Sequence, residues 1–357
     1  MSTPPPFRVV QWATGTIGRR SLRAILAHPG MTLAGVYVHS PDKAGRDAGE
    51  LCGTDPVGVT ATTDIEQILA LDADCVLYMP ITFDADEVCR LLAAGFDVVT
   101  TCGRFHHPET TEPGLRARVA AACAEGGASI HSTGSSPGFI TEAIPLALTS
   151  VQRELTGLTI DEYADLSRRP SPELLFGIMG FGGPAQTADP SRAAYLRDSF
   201  GPSLRLVARA LGLPLDDLTA HAELACAHTD VDIAAGRIPA GTVAAQRITV
   251  TGVRAGAPLL TFRATWYCTA DLDADWRIGD TGWHLSVDGD APLEVDIRLA
   301  VDLDRMAQVS PGYTAHRAVN AVPAVCAAEP GIRSSVELPQ IIADFRPRGS
   351  DPLSSIP

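Results

Sequence analysis

Phe7-Arg8-Val9-Val10-Gln11-Trp12 is an apolar stretch that runs directly into Ala13-Thr14-Gly15-Thr16-Ile17-Gly18, and a helix-forming segment follows from Arg19 to Ala27. This order predicts a β-strand, a turn of small residues and a helix. Gly15 lets the main chain approach a pyrophosphate, Gly18 lets the helix pack closely on the strand, and free amides at the helix start hold negative charge. The usual first glycine is replaced by Ala13, which a tight turn tolerates if its φ stays negative. The turn therefore predicts a dinucleotide site, with an ordinary structural turn as the alternative. The predicted cofactor-binding residues of this turn are Ala13, Thr14, Gly15, Thr16, Ile17 and Gly18.

Length and composition favour an enzyme with two domains. The 357 residues are long for a single hydrophobic core. No apolar run approaches the roughly 18 residues of a membrane span, and the first residues lack the pattern of a signal peptide. A net charge of −14 disfavours nucleic acid and anionic membranes as partners. The eight cysteines show no zinc spacing, so we expect no metal and a reducing, cytoplasmic location.

Strands and helices alternate through residues 1–143, which predicts an α/β dinucleotide-binding domain of the Rossmann type with a doubly wound parallel sheet. The continuous apolar run from Ala73 to Met79 is typical of a parallel strand buried on both faces. Further predicted strands are Met31–Val38, Phe96–Thr101 and Ala128–His131, and predicted helices are Asp64–Leu69, Asp84–Ala94 and Glu112–Gly126.

Ligands of such sheets bind outside the carboxyl ends of the strands. The loops at these ends supply further predicted cofactor-binding residues: Met79, Pro80, Thr101, Cys102 and Gly103. The last loop supplies predicted substrate-pocket residues: Ser135, Pro137 and Phe139. At the end of the second strand, His39, Ser40 and Lys43 stand where NAD-binding proteins usually carry an acid. These donors suit a 2′-phosphate, so we expect NADP, with NAD possible.

Residues 144–311 lose the alternation and predict an α+β catalytic and dimerisation domain with an open mixed sheet. Its predicted strands are Leu158–Asp165, Thr242–Val253, Leu259–Thr269 and Pro292–Val301, with helices at Pro172–Met179 and Ser191–Leu211. Phe176 and Met179 are candidate substrate-pocket residues on a glycine-rich loop able to close over substrate, although core packing is the alternative. Residues 312–345 carry a helix that returns to the first domain, and residues 346–357 predict a loose tail.

Four segments occur together in the order known from one family: the Ala13–Gly18 turn, Ser132–Phe139, Glu162–Ser167 and Val319–Ala327. The chain resembles the dihydrodipicolinate reductase-like oxidoreductases of the 2,4-diaminopentanoate dehydrogenase and native amine dehydrogenase group, and looks most similar to actinobacterial members. The resemblance spans nearly the whole chain. It implies a cofactor domain, a catalytic domain whose open sheet helps to form a homodimer, and hydride transfer between a nicotinamide and a carbon that bears nitrogen.

Two departures from the family pattern are visible. Dihydrodipicolinate reductases carry a His-His-x-x-Lys segment for two carboxylates, whereas this chain has Arg168 and Arg169 in that region, so that specific reaction is not expected. Amine dehydrogenases of the group place a glutamate just after the fifth strand. Here Gly103 and Arg104 hold those places and Glu109 comes several residues later, which puts the catalytic carboxylate in doubt.

Hydride delivery to an iminium needs a stabilising acceptor, a proton donor and a dry pocket. The candidate catalytic residues are Tyr163, Asp165, His106 and Glu109. Because side chains alternate along a strand, Asp161, Tyr163 and Asp165 share one face of their strand. That face is a candidate lining of the substrate cleft; the alternative is that it faces solvent or a dimer partner. His106 and its neighbour His107 alternatively form a solvated turn. Asn320 is a candidate for binding the cofactor carboxamide, or else a helix-surface amide.

The sequence thus predicts an NAD(P)H-dependent oxidoreductase acting on a C–N or imine centre. Its substrates would be a small carbonyl compound or amine together with ammonia, by reductive amination of a ketone or aldehyde or by the reverse oxidative deamination. A carbonyl or C=C reductase on the same scaffold and a non-catalytic dinucleotide-binding protein are the alternatives.

Overall fold

The computed structural model describes residues 5–185 and 190–345. The loose tail predicted for residues 346–357 lies outside these residues. Within them the chain forms two compact units, one that runs to Phe139 and resumes at Ser310, and one that runs from Ile140 to Val309. Each unit has its own sheet.

The strands are β1 (Phe7–Trp12), β2 (Met31–Tyr37), β3 (Ala61–Thr62), β4 (Cys75–Tyr78), β5 (Asp97–Thr100), β6 (Ser129–Ser132), β7 (Leu155–Asp165), β8 (Asp217–Cys226), β9 (Val231–Ile233), β10 (Gly236–Ile238), β11 (Val243–Arg254), β12 (Ala257–Tyr267), β13 (Gly282–Gly289), β14 (Leu293–Arg298) and β15 (Gly331–Arg333). The α-helices are α1 (Thr16–Ala27), α2 (Ala48–Cys52), α3 (Ile65–Leu69), α4 (Ala85–Ala93), α5 (Pro113–Gly126), α6 (Ile144–Thr149), α7 (Pro190–Ala210) and α8 (Leu303–Cys326). No helix among the described residues combines the length and the apolar character that a membrane crossing requires.

The first unit holds a parallel sheet with the order β15-β6-β5-β4-β1-β2-β3. All four residues of β4 are buried, because helices cover both faces. One apolar layer joins β4 and β5 to Leu91 of α4 and Val119 of α5. The other joins β1 to Ile25 of α1 and Val322 of α8. The doubly wound sheet predicted from the alternation is confirmed.

Side-chain caps begin several helices of this unit where the sequence suggested a start. Asp84 accepts hydrogen bonds from the amides of Asp86 (2.8 Å) and Glu87 (3.1 Å) at the start of α4. Glu112 caps α5 in the same manner, with Pro113 in the first helical position. These local signals explain why the predicted and observed limits of α3, α4 and α5 agree within one residue.

The second unit holds a mixed sheet with the order β14-β13-β7-β12-β11-β8, in which only β7 and β12 run parallel. One face is apolar and packs on α7, where Phe200 stacks on Phe262 with ring centroids 4.0 Å apart. The opposite face is polar, and Arg263 donates a 2.8 Å hydrogen bond to Asp161 there. The predicted α+β unit with an open mixed sheet is confirmed.

Two strands of this sheet were not predicted. β8 alternates exposed polar residues with half-buried apolar ones from Asp217 to Leu224, which is the period-two pattern of a half-buried strand and was overlooked. β13 begins and ends with glycine and carries Asp288, which lowered its apparent strand propensity. The helix predicted within residues 312–345 begins earlier than expected, because α8 starts at Leu303 and continues through Pro311.

Candidate coenzyme and substrate sites

The β1–α1 turn presents main-chain amides without competing side chains. Gly15 is the N-cap residue of α1, with φ −72° and ψ −163°; no side chain caps the helix and no acidic residue lies in its first turn. A Cβ atom on Gly18 would lie 2.1 Å from the carbonyl oxygen of Ala13, so only glycine fits there. The predicted role of Gly18 in close helix packing is confirmed.

Ala13 differs from the expectation. Its φ is +68°, in the left-handed region, whereas the sequence argument required a negative φ. Alanine pays a steric cost in this conformation that glycine avoids. The buried side chain of Gln11 donates a 2.9 Å hydrogen bond to the Ala13 carbonyl oxygen and helps to hold the turn.

A cavity of about 380 Å³ lies beside this turn. It is lined by Ala13, Thr14, Gly15, Val38, His39, Ser40, Lys43, Met79, Pro80, Ile81 and Thr82. Eight of the predicted cofactor-binding residues are among them. Thr16, Ile17, Gly18, Thr101, Cys102, Gly103 and Asn320 are not, although the first three follow Gly15 directly.

Two observations test whether these residues suit a dinucleotide. The position of a Cβ on Gly15 would face open space, with no atom within 4 Å. The hydroxyl of Thr14 is buried and has no hydrogen-bond partner among the described residues. A phosphate against the amide end of α1 would occupy that space and accept from that hydroxyl. The residues therefore fit the group.

Side chains near the end of β2 shape the far part of the cavity. Lys43 extends back to the turn, with its Nζ 3.4 Å from the carbonyl oxygen of Thr14. His39 lies 3.1 Å from Oε1 of Glu87, a carboxylate that sequence reasoning missed. Glu87 also accepts from Tyr78 (2.7 Å) and Trp12 (3.2 Å). Burial and this carboxylate together raise the pKa of Tyr78.

The loop after β5 buries its histidines. His106 and His107 are 1% and 7% exposed, so the solvated turn considered as their alternative is wrong. Glu109, in contrast, is exposed in a short 3₁₀ turn, Pro108–Thr110. Cys102 is half-buried, and its carbonyl oxygen accepts a 2.7 Å hydrogen bond from Ser132. This loop is thus fixed to the end of β6.

The glycine-rich loop after β6 folds against α8. The hydroxyl of Ser135 lies 2.7 Å from that of Thr314, and Phe139 lies 5.8 Å beneath the guanidinium of Arg317. Pro137 follows a cis peptide bond. Asn320, on the same helix, is half-buried. Their predicted substrate and carboxamide contacts stay predictions.

In the second unit, strand register places Asp161, Tyr163 and Asp165 on the polar face, as the alternation predicted. Tyr163 is buried beneath Gly279, where a Cβ would lie 2.8 Å from its ring. Burial, and then the charge of Asp161, raise the pKa of Tyr163. The carboxylate of Asp165 accepts a 2.8 Å hydrogen bond from the amide of Ser167.

The two predicted pocket residues of the second unit have different surroundings. Met179 lines a cavity of about 680 Å³ on the apolar side of the sheet. Phe176 does not line this cavity. Its ring packs against Gly182 and Gly236, which agrees with the alternative that it belongs to the core. The loop around Gly182 is tied down, because its amide donates to Val243 and the Val243 amide donates to Gly183.

Sequence reasoning also missed Glu142. This carboxylate is 1% exposed and accepts a 2.5 Å hydrogen bond from the hydroxyl of Ser203. The available signal was an acid within the apolar run Gly138–Leu148, since a carboxylate is rarely buried without a partner.

A seven-stranded parallel sheet, a glycine turn that accommodates a pyrophosphate and a second mixed-sheet unit define a dinucleotide-binding oxidoreductase. Comparison with family models narrows this class. Residues 198–347 match the 2,4-diaminopentanoate dehydrogenase C-terminal domain, and residues 9–94 match the N-terminus of dihydrodipicolinate reductase. An amine dehydrogenase of Streptomyces virginiae is 30% identical over 347 residues, which cover 92% of this chain and 95% of that protein. The chain therefore belongs to the dihydrodipicolinate reductase-like oxidoreductases, in the group of amine dehydrogenases and 2,4-diaminopentanoate dehydrogenases.

Two further comparisons agree. The solved structure of the amine dehydrogenase from Mycobacterium smegmatis superimposes with a TM-score of 0.74 at 17% identity, covering 96% of this chain and 99% of that one. This likeness shows the fold. The 4-hydroxy-tetrahydrodipicolinate reductase of Synechococcus elongatus is 42% identical over 71 residues, which are 20% of this chain and 26% of that protein. The resemblance read from the sequence motifs is confirmed.

Proposed function

We propose that this oxidoreductase catalyses the NAD(P)H-dependent reductive amination of a ketone or aldehyde with ammonia, or the reverse oxidative deamination. The observation that carries the proposal is the near full-length similarity to the Streptomyces virginiae amine dehydrogenase. When bound, the nicotinamide supplies or accepts the hydride. The residues of this chain have to hold the coenzyme, orient the substrate, exclude water and move protons.

NADP is the proposed coenzyme. Lys43 and Ser40 line the cavity beside Gly15, and none of the described residues that line it is acidic. Glu87 lies under His39 but is engaged by three donors, which limits its repulsion of a 2′-phosphate. A cationic Lys43 would form a charge-assisted hydrogen bond with that phosphate.

Proton transfer and cation stabilisation are proposed for four residues. Of these, His106 is buried, and its imidazole is a type of side chain that donates a proton to a leaving hydroxyl. Tyr163 is a neutral donor, since burial raises its pKa. Asp165 and Glu109 are the proposed carboxylates for the iminium charge.

The proposed experiment measures oxidation of NADPH and NADH with a panel of ketones and aldehydes, each with and without ammonium. An amine dehydrogenase oxidises the coenzyme only when ammonium is present. Turnover that is independent of ammonium would instead identify a carbonyl or C=C reductase. Coenzyme binding without any turnover on carbonyl compounds or amines would contradict an enzymatic function.

A homodimer is proposed from the family. The polar face of the mixed sheet carries charged pairs such as Arg263–Asp161 and His284–Asp296, each at 2.8 Å. Light scattering of the purified chain would give its mass in solution. A monomeric mass at micromolar concentration would contradict this part of the proposal.

A further inference from the structure

The cavity of about 680 Å³ in the second unit is built by three walls. Its floor is a row across three neighbouring strands, because Ala164 pairs with Trp266 and Trp266 pairs with Gln246. Leu196 and Tyr195 of α7 form one side, and Leu174 and Ile178 of the π-helical turn Glu173–Ile178 form the other. A volume of this size is within the usual range for small-molecule sites.

The cavity is apolar in its body. Ala164, Leu174 and Trp266 are only half-buried in the described structure, and Ile178 and Tyr195 are 63% and 70% exposed. Large apolar side chains that converge on one concave surface indicate a binding site rather than ordinary surface. An apolar ligand that covers them would remove this area from water.

In the part of the chain that the structure describes, the charged residues lining the cavity have one sign. They are Arg169 and Arg192, and no described lining residue is acidic, although the whole chain has 42 acidic and 28 basic residues. Arg192 is already engaged: it donates to the Met179 carbonyl oxygen (2.8 Å) and to Gln246 (2.7 Å), and so joins α7 to the floor. Its acceptors are neutral.

Arg169 is the cation left for a ligand. It is exposed at the cavity, and among the described residues its guanidinium has neither a carboxylate within ion-pairing distance nor a hydrogen-bond acceptor. Its neighbour Arg168 does not line the cavity and lies 3.9 Å from Asp304. An anionic group held by Arg169 would thus stand at the end of an apolar body.

We infer that this cavity binds an apolar chain that ends in a carboxylate. The chain packs between α7 and the π-helical turn over Trp266, and the carboxylate accepts hydrogen bonds from Arg169. Met179, a predicted substrate-pocket residue, lines the same cavity, so the inference names a ligand class for that pocket and in this respect rests on the proposed function. Its test is separate from the test of the reaction, because binding is measured without coenzyme or turnover.

Calorimetric titration of the full chain, without coenzyme, with hexanoate, octanoate and decanoate tests the inference. The affinity should rise with each methylene while the chain fits, by roughly three- to fourfold. Octanol should bind about tenfold more weakly than octanoate, because it lacks the charge. No heat of binding with millimolar octanoate, or equal affinity for octanol, would overturn the inference.

The two neighbouring arginines give a matched pair of variants. Arg169→Met should lower octanoate affinity about tenfold and leave octanol unchanged. Arg168→Met should change neither. Both side chains are exposed, so both variants should fold, which thermal unfolding verifies. Equal losses in the two variants would show a non-specific charge effect and reject Arg169 as the carboxylate ligand.

Filling the cavity provides an independent test. Ala164→Phe places a ring on the floor and should abolish octanoate binding. If that variant does not fold, Ile178→Asp tests the same point from an exposed position, since a carboxylate beside the apolar chain should repel the ligand. Unchanged octanoate affinity in a folded variant of either kind would place the ligand elsewhere.

Discussion

The cavity beside Gly15 and the cavity beside Arg169 are built from different parts of the chain. The first depends on main-chain amides and on two glycines. Gly15 leaves open space beside the turn, and Gly18 has no room for a Cβ. The second depends on side chains that are present, on strands and helices whose backbone is regular. We therefore expect side chains that intrude on the glycine turn to act nearly all-or-none, and changes of lining side chains, Lys43 included, to act in graded steps.

The largest effect is expected at Gly18. Gly18→Val would force a Cβ to within 2.1 Å of the Ala13 carbonyl oxygen, which is backbone and cannot move aside cheaply. We expect a loss of about 3 kcal/mol or more in the free energy of unfolding, together with loss of coenzyme binding. Thermal unfolding and NADPH fluorescence titration measure the two effects.

Gly15→Ala is the matched control for this prediction. Its Cβ meets nothing within 4 Å and its φ of −72° suits alanine, so the variant should fold as well as the wild type. Equal destabilisation by both substitutions would mean that the turn has a different geometry in solution.

Gly15→Asp separates binding from folding. Aspartate is a favoured N-cap residue, so stability should be unchanged or rise by about 1 kcal/mol. Coenzyme affinity should nevertheless fall at least about a hundredfold, because a carboxylate would face the pyrophosphate at short range. An unchanged coenzyme titration in a folded Gly15→Asp protein would refute the assignment of the turn.

Lys43→Met tests the coenzyme preference with a smaller effect. We expect the KM for NADPH to rise about tenfold and the KM for NADH to stay constant, since only NADPH carries the 2′-phosphate. Stability should hardly change, because the contact of Lys43 with Thr14 is long, at 3.4 Å.

Arg46→Met is the control for the lysine variant, because Arg46 lies 3.9 Å from Glu50 and does not line the cavity. Equal losses for NADPH and NADH in Lys43→Met would contradict a phosphate contact and favour NAD.

Sequence patterns predicted the first unit more completely than the second, for a physical reason. In the first unit the strands β4 and β6 are short and buried along their whole length, and α4 and α5 begin at their own caps, Asp84 and Glu112. These signals are local. The sign of φ at Ala13 could not be predicted from local sequence, because it depends on contacts with Gln11 and on the position of α1.

The cavity beside Arg169 could not be predicted from the sequence, because its floor forms only where three strands that are distant in sequence lie side by side. Ala164, Trp266 and Gln246 are neighbours only because β7 lies beside β12 and β12 beside β11. In the sequence Arg169 stands out only as a departure from the His-His-x-x-Lys segment, and nothing near it shows which apolar surface it adjoins. β8 is a different case, because Asp217–Leu224 alternate polar and apolar residues, the local pattern of a half-buried strand, and the prediction overlooked it.

The smallest effect is expected at Asp97, which tests whether the first unit also tolerates graded change. Burial raises the pKa of Asp97 to about 6, although its carboxylate accepts a hydrogen bond from the Ser129 amide (2.6 Å). A raised carboxyl pKa means that the native state holds the proton more tightly than the unfolded state. Wild-type stability should therefore fall as pH rises from about 4 to about 6.

Asp97→Asn removes this titration and retains an oxygen that accepts from Ser129. Relative to the wild type, the free energy of unfolding of the variant should increase by about 1–2 kcal/mol between pH 4 and pH 7. This is less than the full pKa shift implies, because Asp97 is not wholly buried.

Asp47→Asn is the opposite control. Amide hydrogen bonds lower the pKa of Asp47, so its carboxylate stabilises the native state as pH rises through the acid range. Chemical denaturation across this pH range measures both variants. A stability difference between Asp97→Asn and the wild type that does not vary with pH would show that Asp97 titrates normally, and that water reaches the start of β5.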